Sequence, residues 1–121
     1  ERIAKTKKPI IISTGASYMN EVQKTLKVIN KYHNRIVILY CRSTYPLKEE
    51  DSNLSIIQNF KKKFPKNFIG YSDHTKDNTT SLIASNLGAK IIEKHFIIDQ
   101  RKTYDSSFSI KRLSKCLIPE P

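Results

Sequence analysis

Phe68-Ile69-Gly70-Tyr71-Ser72-Asp73-His74-Thr75, followed one helical pattern later by Gly88-Ala89-Lys90-Ile91-Ile92-Glu93-Lys94-His95-Phe96, is the stretch that decides the fold. Each half starts as a short apolar run and ends in polar residues. Thr79 to Leu87 between them reads as a helix, closed by Gly88 where a left-handed residue commonly ends one. Strand, helix, strand in this order predicts a parallel pair with the helix as crossover. His74 and His95 stand 21 positions apart, each at the C-terminal end of its strand. In an α/β barrel those ends form the active-site face, so residues there read as chemistry rather than stability.

The same unit recurs upstream. Pro9-Ile10-Ile11-Ile12-Ser13-Thr14 ends at Gly15, and Ile36-Val37-Ile38-Leu39-Tyr40-Cys41 runs into Arg42. Continuous rather than alternating apolarity predicts parallel strands covered on both faces. Met19 to Tyr32 places Met19, Val22, Leu26 and Ile29 on one helical face, with Lys24, Lys27 and Lys31 opposite. Leu54, Ile57, Phe60 and Phe64 form a second such face, and Lys61-Lys62-Lys63 reads as its solvated side. Ser109 is expected to cap a fourth helix through Leu113 to Leu117, stopped by Pro119.

Strand starts near residues 9, 36, 67 and 90 lie 27, 31 and 23 residues apart, the period of a βα repeat. A closed (β/α)₈ TIM barrel needs roughly 250 residues, so four units in 121 residues read as half of one. The competing architecture is a complete four-stranded doubly wound domain, which would leave the same strand ends functional.

Composition narrows the partners. The net charge of +11 comes almost entirely from Lys spread over helix faces, which reads as solvated surface. No RNP-like aromatic strand, zinc-finger spacing or arginine-rich arm accompanies it, so nucleic acid is not the expected partner. The positive field suits an anionic small substrate instead. Apolar runs of four to six residues are too short to span a membrane. Cys41 and Cys116 form no disulfide framework or metal motif, and no signal peptide is seen, so a reducing, cytoplasmic setting is expected. The chain opens on Glu1 rather than Met, which points to a piece of a longer product.

All four strands end in polar clusters: Ser13-Thr14-Gly15, Ser43-Thr44-Tyr45, Ser72-Asp73-His74, and Glu93 with His95. Singly, each has an ordinary explanation. A Ser-Asp pair before Thr75 is most often a turn or cap, and a His among apolar residues is most often a packed, hydrogen-bonded one. Four such ends converging on one face favour a site. Two neutral imidazoles suit Mn²⁺, Fe²⁺, Co²⁺ or Zn²⁺ and leave positions open for substrate. Period-two alternation puts Glu93 on the side of His95, as ligand, outer partner or general base, and Lys94 on the other side in a structural role. Lys8, with the hydroxyls of Ser13, Ser43 and Ser72, is a candidate for binding phosphate or carboxylate. Three glycines leave no Gly-rich phosphate loop.

Lys8-Pro9-Ile10-Ile11-Ile12-Ser13-Thr14-Gly15, Cys41-Arg42-Ser43-Thr44-Tyr45-Pro46, Gly70-Tyr71-Ser72-Asp73-His74-Thr75 and Gly88 to Phe96 together resemble the sialic acid synthase family, the N-acetylneuraminate, legionaminate and pseudaminate synthases. The resemblance covers nearly the whole chain, and the last two motifs are the specific ones. It implies a (β/α)₈ barrel, here its C-terminal half, that condenses phosphoenolpyruvate with an N-acylamino sugar such as N-acetylmannosamine and releases phosphate. It implies a divalent metal, Mn²⁺ first, with Mg²⁺ or Co²⁺ as alternatives, held by His74 and His95. Lys8 and Ser72 match positions that hold phosphoenolpyruvate, Glu93 an active-site acid, and Tyr45 and Asp105 sugar-side positions. Ser43 stands where many relatives carry Asn, and Asp105-Ser106 replaces an Asp-His pair.

The resemblance also implies a first barrel half before Glu1 and an antifreeze-like domain after Pro121, with a homodimeric parent. Residues 1–121 would then be a partial synthase domain, inactive alone. Two other readings stay open: a different metal-dependent, aldolase-type barrel, and a non-catalytic half-barrel that binds metal or protein.

Overall fold

In the computed structural model, residues 1–97 and 109–111 are described. The β-branched run Ile10–Ser13 forms β1, and Met19–Asn30 forms helix α1, at whose start Glu21 accepts the Tyr18 backbone N–H at 2.7 Å. Then come β2 (Ile36–Cys41), α2 (Ser55–Lys63), β3 (Phe68–Asp73), α3 (Thr79–Asn86) and β4 (Ile92–Lys94). Gly88 adopts φ 101° after α3, the left-handed stop expected of it.

The four strands pair in parallel in the order β1-β2-β3-β4. One rung joins Ser13, Leu39 and Gly70, and the next rung of the same parity joins Cys41, Ser72 and Glu93. Parity then divides the sheet. Ile10, Ile12, Ile36, Ile38, Tyr40, Ile69, Tyr71 and Ile92 face the helices and pack against Val22, Leu26 and Ile29 of α1, Ile57 and Phe60 of α2, and Ala84 of α3. Tyr40 anchors this layer, with Phe60 edge-on and Tyr71 stacked, each centroid 6.0 Å away. Burying each such side chain contributes about 1.5–3 kcal/mol, which is why the helical stripes hold.

The opposite face behaves differently. Ile11 is 56% and Phe68 66% exposed there, while Leu39, Cys41 and Ser72 on the same face are buried, so within the described residues the expected cover on both faces holds only in part. A doubly wound domain would place helices on both faces and reverse its strand order at a switch point. Here α1, α2 and α3 all pack on one face and the order is sequential. That is the geometry of a barrel cut in half, and the half-barrel reading stands.

Two local expectations need correction. The run 90–96 is not one strand: the chain breaks at His95, and Phe96–Ile97 forms a separate strand, β5. Residues 110–111 do not begin a helix after Ser109. Ile110–Lys111 is β6, paired in parallel with β5 in the register Phe96 to Ile110 and Ile97 to Lys111. One Ser cap is worth about 1 kcal/mol. The unpaired backbone of 96–97 offers ladder bonds that compete with it. Leu113 to Leu117 lie outside the described residues.

Candidate active site at the strand ends

His74 leaves the end of β3 buried and held from both sides. Its Nδ1–H donates to the Arg42 carbonyl at 2.6 Å, and its own carbonyl accepts the Leu47 N–H at 2.9 Å. A carbonyl can only accept, so the ring proton sits on Nδ1 and Nε2 carries the lone pair. Burial pushes the imidazole pKa down, as does neighbouring His95, while the Arg42 bond opposes them. The ring therefore stays neutral near pH 7, the form that binds a cation.

Nε2 lies 3.2 Å from Ser72 Oγ. That hydroxyl donates its single proton to Glu93 Oε1 at 2.6 Å, so Nε2 meets a lone pair rather than a donor. His95 lies alongside, its ring centroid 5.5 Å from that of His74. Tyr45, before a cis Tyr45–Pro46 bond, sits across both rings, 4.1 Å from His74 and 5.8 Å from His95. An imidazole nitrogen that receives no proton, on a ring 5.5 Å from a second imidazole, fits a divalent ion. Among the described residues, though, no group of three or more His, Cys, Asp and Glu could hold a metal, so His74 and His95 offer a pair of imidazoles rather than a larger cluster.

Of the residues singled out from the sequence, His74, His95, Glu93, Ser72 and Tyr45 come together. Ser13 lies on the same open sheet face, one same-parity rung below Ser72 and Glu93. Ser43 closes onto the end of β1. A Cβ on Gly15 would stand 2.5 Å from Ser43 Oγ and 2.9 Å from Cys41 Sγ, so only glycine admits this approach. Burial raises the Cys41 thiol pKa, against the N–H groups of Gly15 and Thr14.

Lys8 does not join them. It is exposed and precedes β1, at the opposite, N-terminal edge of the sheet, where the Arg35 guanidinium donates to the neighbouring Lys7 carbonyl. At about 3.3 Å per residue it starts some 17 Å below Ser13 along the strand. Strand polarity is the reason: a residue before a strand cannot reach the strand's C-terminal mouth. Asp105 lies outside the described residues.

The sequence reading missed the use of Asp73. It is fully buried and turned to the helix side, not into the site. Its Oδ1 accepts the Thr75 N–H and hydroxyl, both at 2.8 Å. Its Oδ2 accepts the Thr80 and Ser81 hydroxyls from the first turn of α3, and Lys94 Nζ at 2.9 Å. Desolvation raises the Asp73 pKa, but the donors from Ser81, Lys94 and Thr75 outweigh it and hold the carboxyl below its usual range. Lys94 thus has the structural role expected of it.

Comparison with known proteins agrees with this geometry. The NeuB family profile matches residues 1–114. A pseudaminic acid synthase of Campylobacter jejuni is 42% identical over 110 residues, covering 89% of this chain and 32% of that protein. Human N-acetylneuraminate-9-phosphate synthase is 36% identical over 112 residues, covering 92% of this chain and 31% of that protein. The crystal structure of a sialic acid synthetase from Leptospira borgpetersenii, in complex with citrate, superimposes with a TM-score of 0.85 at 35% identity, covering 90% of this chain and 38% of that one. The chain spans about 30% of the length of the curated relatives it matches. With its sequential parallel half-barrel and paired strand-end histidines, the chain belongs to the NeuB family.

Proposed function

We propose that this segment forms one side of the active site of a sialic-type acid synthase, which condenses phosphoenolpyruvate with an N-acylamino sugar such as N-acetylmannosamine and releases phosphate. The observation that carries the reading is the neutral His74 ring, locked through Nδ1 on Arg42, with Nε2 turned toward Ser72 and the ring beside that of His95. His74 and His95 would hold a divalent metal, Mn²⁺ by preference and Mg²⁺ or Co²⁺ as alternatives, which supplies a Lewis acid for the sugar aldehyde. Tyr45 packs against both rings and would help hold their orientation. Ser72 commits its proton to Glu93. A phosphoenolpyruvate oxygen that takes this proton instead frees Glu93 Oε1 to orient the sugar. Ser13 and Ser43 offer further hydroxyls, and Lys8 is left out of the site.

The test is phosphate release by the full gene product that contains this segment, with phosphoenolpyruvate, N-acetylmannosamine and Mn²⁺. Sugar-dependent release is expected to fall about 100-fold or more in His74→Ala and in His95→Ala, beyond what loss of an outer partner costs. Unchanged rates would remove the histidines from the reaction. Metal binding without release on any acylamino sugar would favour the aldolase-type alternative. The 121-residue chain alone is expected to show no turnover. A homodimeric parent in the cytoplasm belongs to the same proposal. No helix among the described residues is long and apolar enough to cross a membrane.

A further inference from the structure

Asp73 immediately precedes His74, and Lys94 immediately precedes His95. The two form an ion pair at 2.9 Å, with side chains 0% and 7% exposed. Lys94 uses all three of its protons at this place, on Asp73 Oδ2, on the Thr75 carbonyl at 2.9 Å and on Thr75 Oγ1 at 3.3 Å. Consecutive rungs between β3 and β4 are therefore bridged by side chains on both faces. Ser72 to Glu93 closes the open face, and Asp73 to Lys94 closes the helix face.

Strand β4 has only three residues and breaks at His95, so its backbone ladder holds it by few bonds. The pair lies on its last rung. A buried ion pair is a poor source of stability, because apolar replacements of both partners are often neutral or stabilising. Its presence beside the site needs another reason. We infer that the Asp73–Lys94 pair is a positioning clamp that fixes the separation of His74 and His95. Through the Thr80 and Ser81 hydroxyls it also ties that separation to the first turn of α3. The inference rests on the metal-site reading above and adds to it the residues that set the site's spacing.

The experiment uses the full gene product, with Mn²⁺ affinity measured by electron paramagnetic resonance alongside the melting temperature. Lys94→Met is expected to lower the melting temperature and to weaken Mn²⁺ binding about tenfold or more, the scale for partners behind metal ligands. The double variant Asp73→Asn/Lys94→Met leaves no unpaired buried charge. It should recover most of the melting temperature while binding Mn²⁺ as weakly as Lys94→Met. A double variant with wild-type Mn²⁺ affinity overturns the clamp. So does a double variant that cannot fold, since the pair would then serve folding alone. Should Lys94→Met itself fail to fold, the double variant carries both readouts. His74→Ala and His95→Ala are the control for the underlying reading: if neither changes Mn²⁺ binding, the metal site fails. The clamp is then judged by the ring separation in a crystal structure of the double variant. An unchanged 5.5 Å overturns it, and a widened or disordered pair supports it.

Discussion

Gly70→Ala tests the packing that brings β4 to the site. Gly70 lies in the middle of β3 on the open face, and a Cβ there would meet Leu39 Cδ2 at 2.4 Å and the Ile91 carbonyl oxygen at 2.6 Å. The leucine methyl can rotate away. The carbonyl cannot, because it accepts the Tyr71 N–H at 2.9 Å and belongs to the chain entering β4. Ordinary contact begins at 3.4 Å, so the backbone of Ile91 must retreat from β3. That stretches the Tyr71 bond and carries Glu93 away from Ser72. Overpacking of this kind costs about 1–3 kcal/mol. With a urea slope of about 2 kcal/mol/M, a 2 kcal/mol loss lowers the midpoint by about 1 M. Urea unfolding of the full gene product, followed by circular dichroism, measures it. A midpoint within about 0.2 M of wild type at an unchanged slope would refute the claim that β3 and β4 need a bare Cα here.

Gly88→Ala should cost less and for another reason. Its Cβ meets only the flexible end of Lys61, but φ 101° disfavours an L-residue by about 1–2 kcal/mol, seen as a smaller drop in the same midpoint. Acid should unfold the protein partly through Asp73. Because its folded pKa is depressed, its contribution is full above the unfolded value near 4 and is lost as pH falls through the folded value. In Asp73→Asn, stability measured between about pH 5 and 2 should therefore depend less steeply on pH. Cys41 should alkylate slowly at neutral pH in a Cys116→Ser background, since burial raises its thiol pKa, and denaturant should restore the rate of a free thiol.

The sequence carried most of the fold because the deciding signals were local. Ile36–Cys41 is a strand with the bounds its apolar run suggests, and the stripes Val22, Leu26, Ile29 and Leu54, Ile57, Phe60, Phe64 are buried as their spacing requires. The failures were of two kinds. Pairing partners are invisible in sequence, so neither the break at His95, inside a run that reads as continuous, nor the strand at Ile110–Lys111, where Ser109 reads as a helix cap, is legible there. Lys8 was a failure of geometry rather than of information. Its place before a strand puts it at the N-terminal end of the sheet, away from the hydroxyls of Ser13, Ser43 and Ser72 whose chemistry it matches. Asp73 was read correctly and incompletely: the turn onto Thr75 is there, and so are three partners from α3 and β4.

The triplets Ser72-Asp73-His74 and Glu93-Lys94-His95 work as one device because side chains alternate along a strand. Their first members meet on the open face, their second members meet under the helices, and the histidines follow where the strands end. A one-residue slip of β4 would exchange those faces. Slipped one way, Lys94 would stand opposite Ser72 and Asp73 would face His95 in its place; slipped the other way, Glu93 would lie buried opposite Asp73, two carboxylates with no cation between them. Like charges without solvent are among the costliest arrangements a core can hold. Apolar patterning alone would tolerate the slip poorly, since Ile92 would leave the helix layer, but charge forbids it more strongly. The register that sets the histidine pair is thus specified by the residues immediately before each histidine.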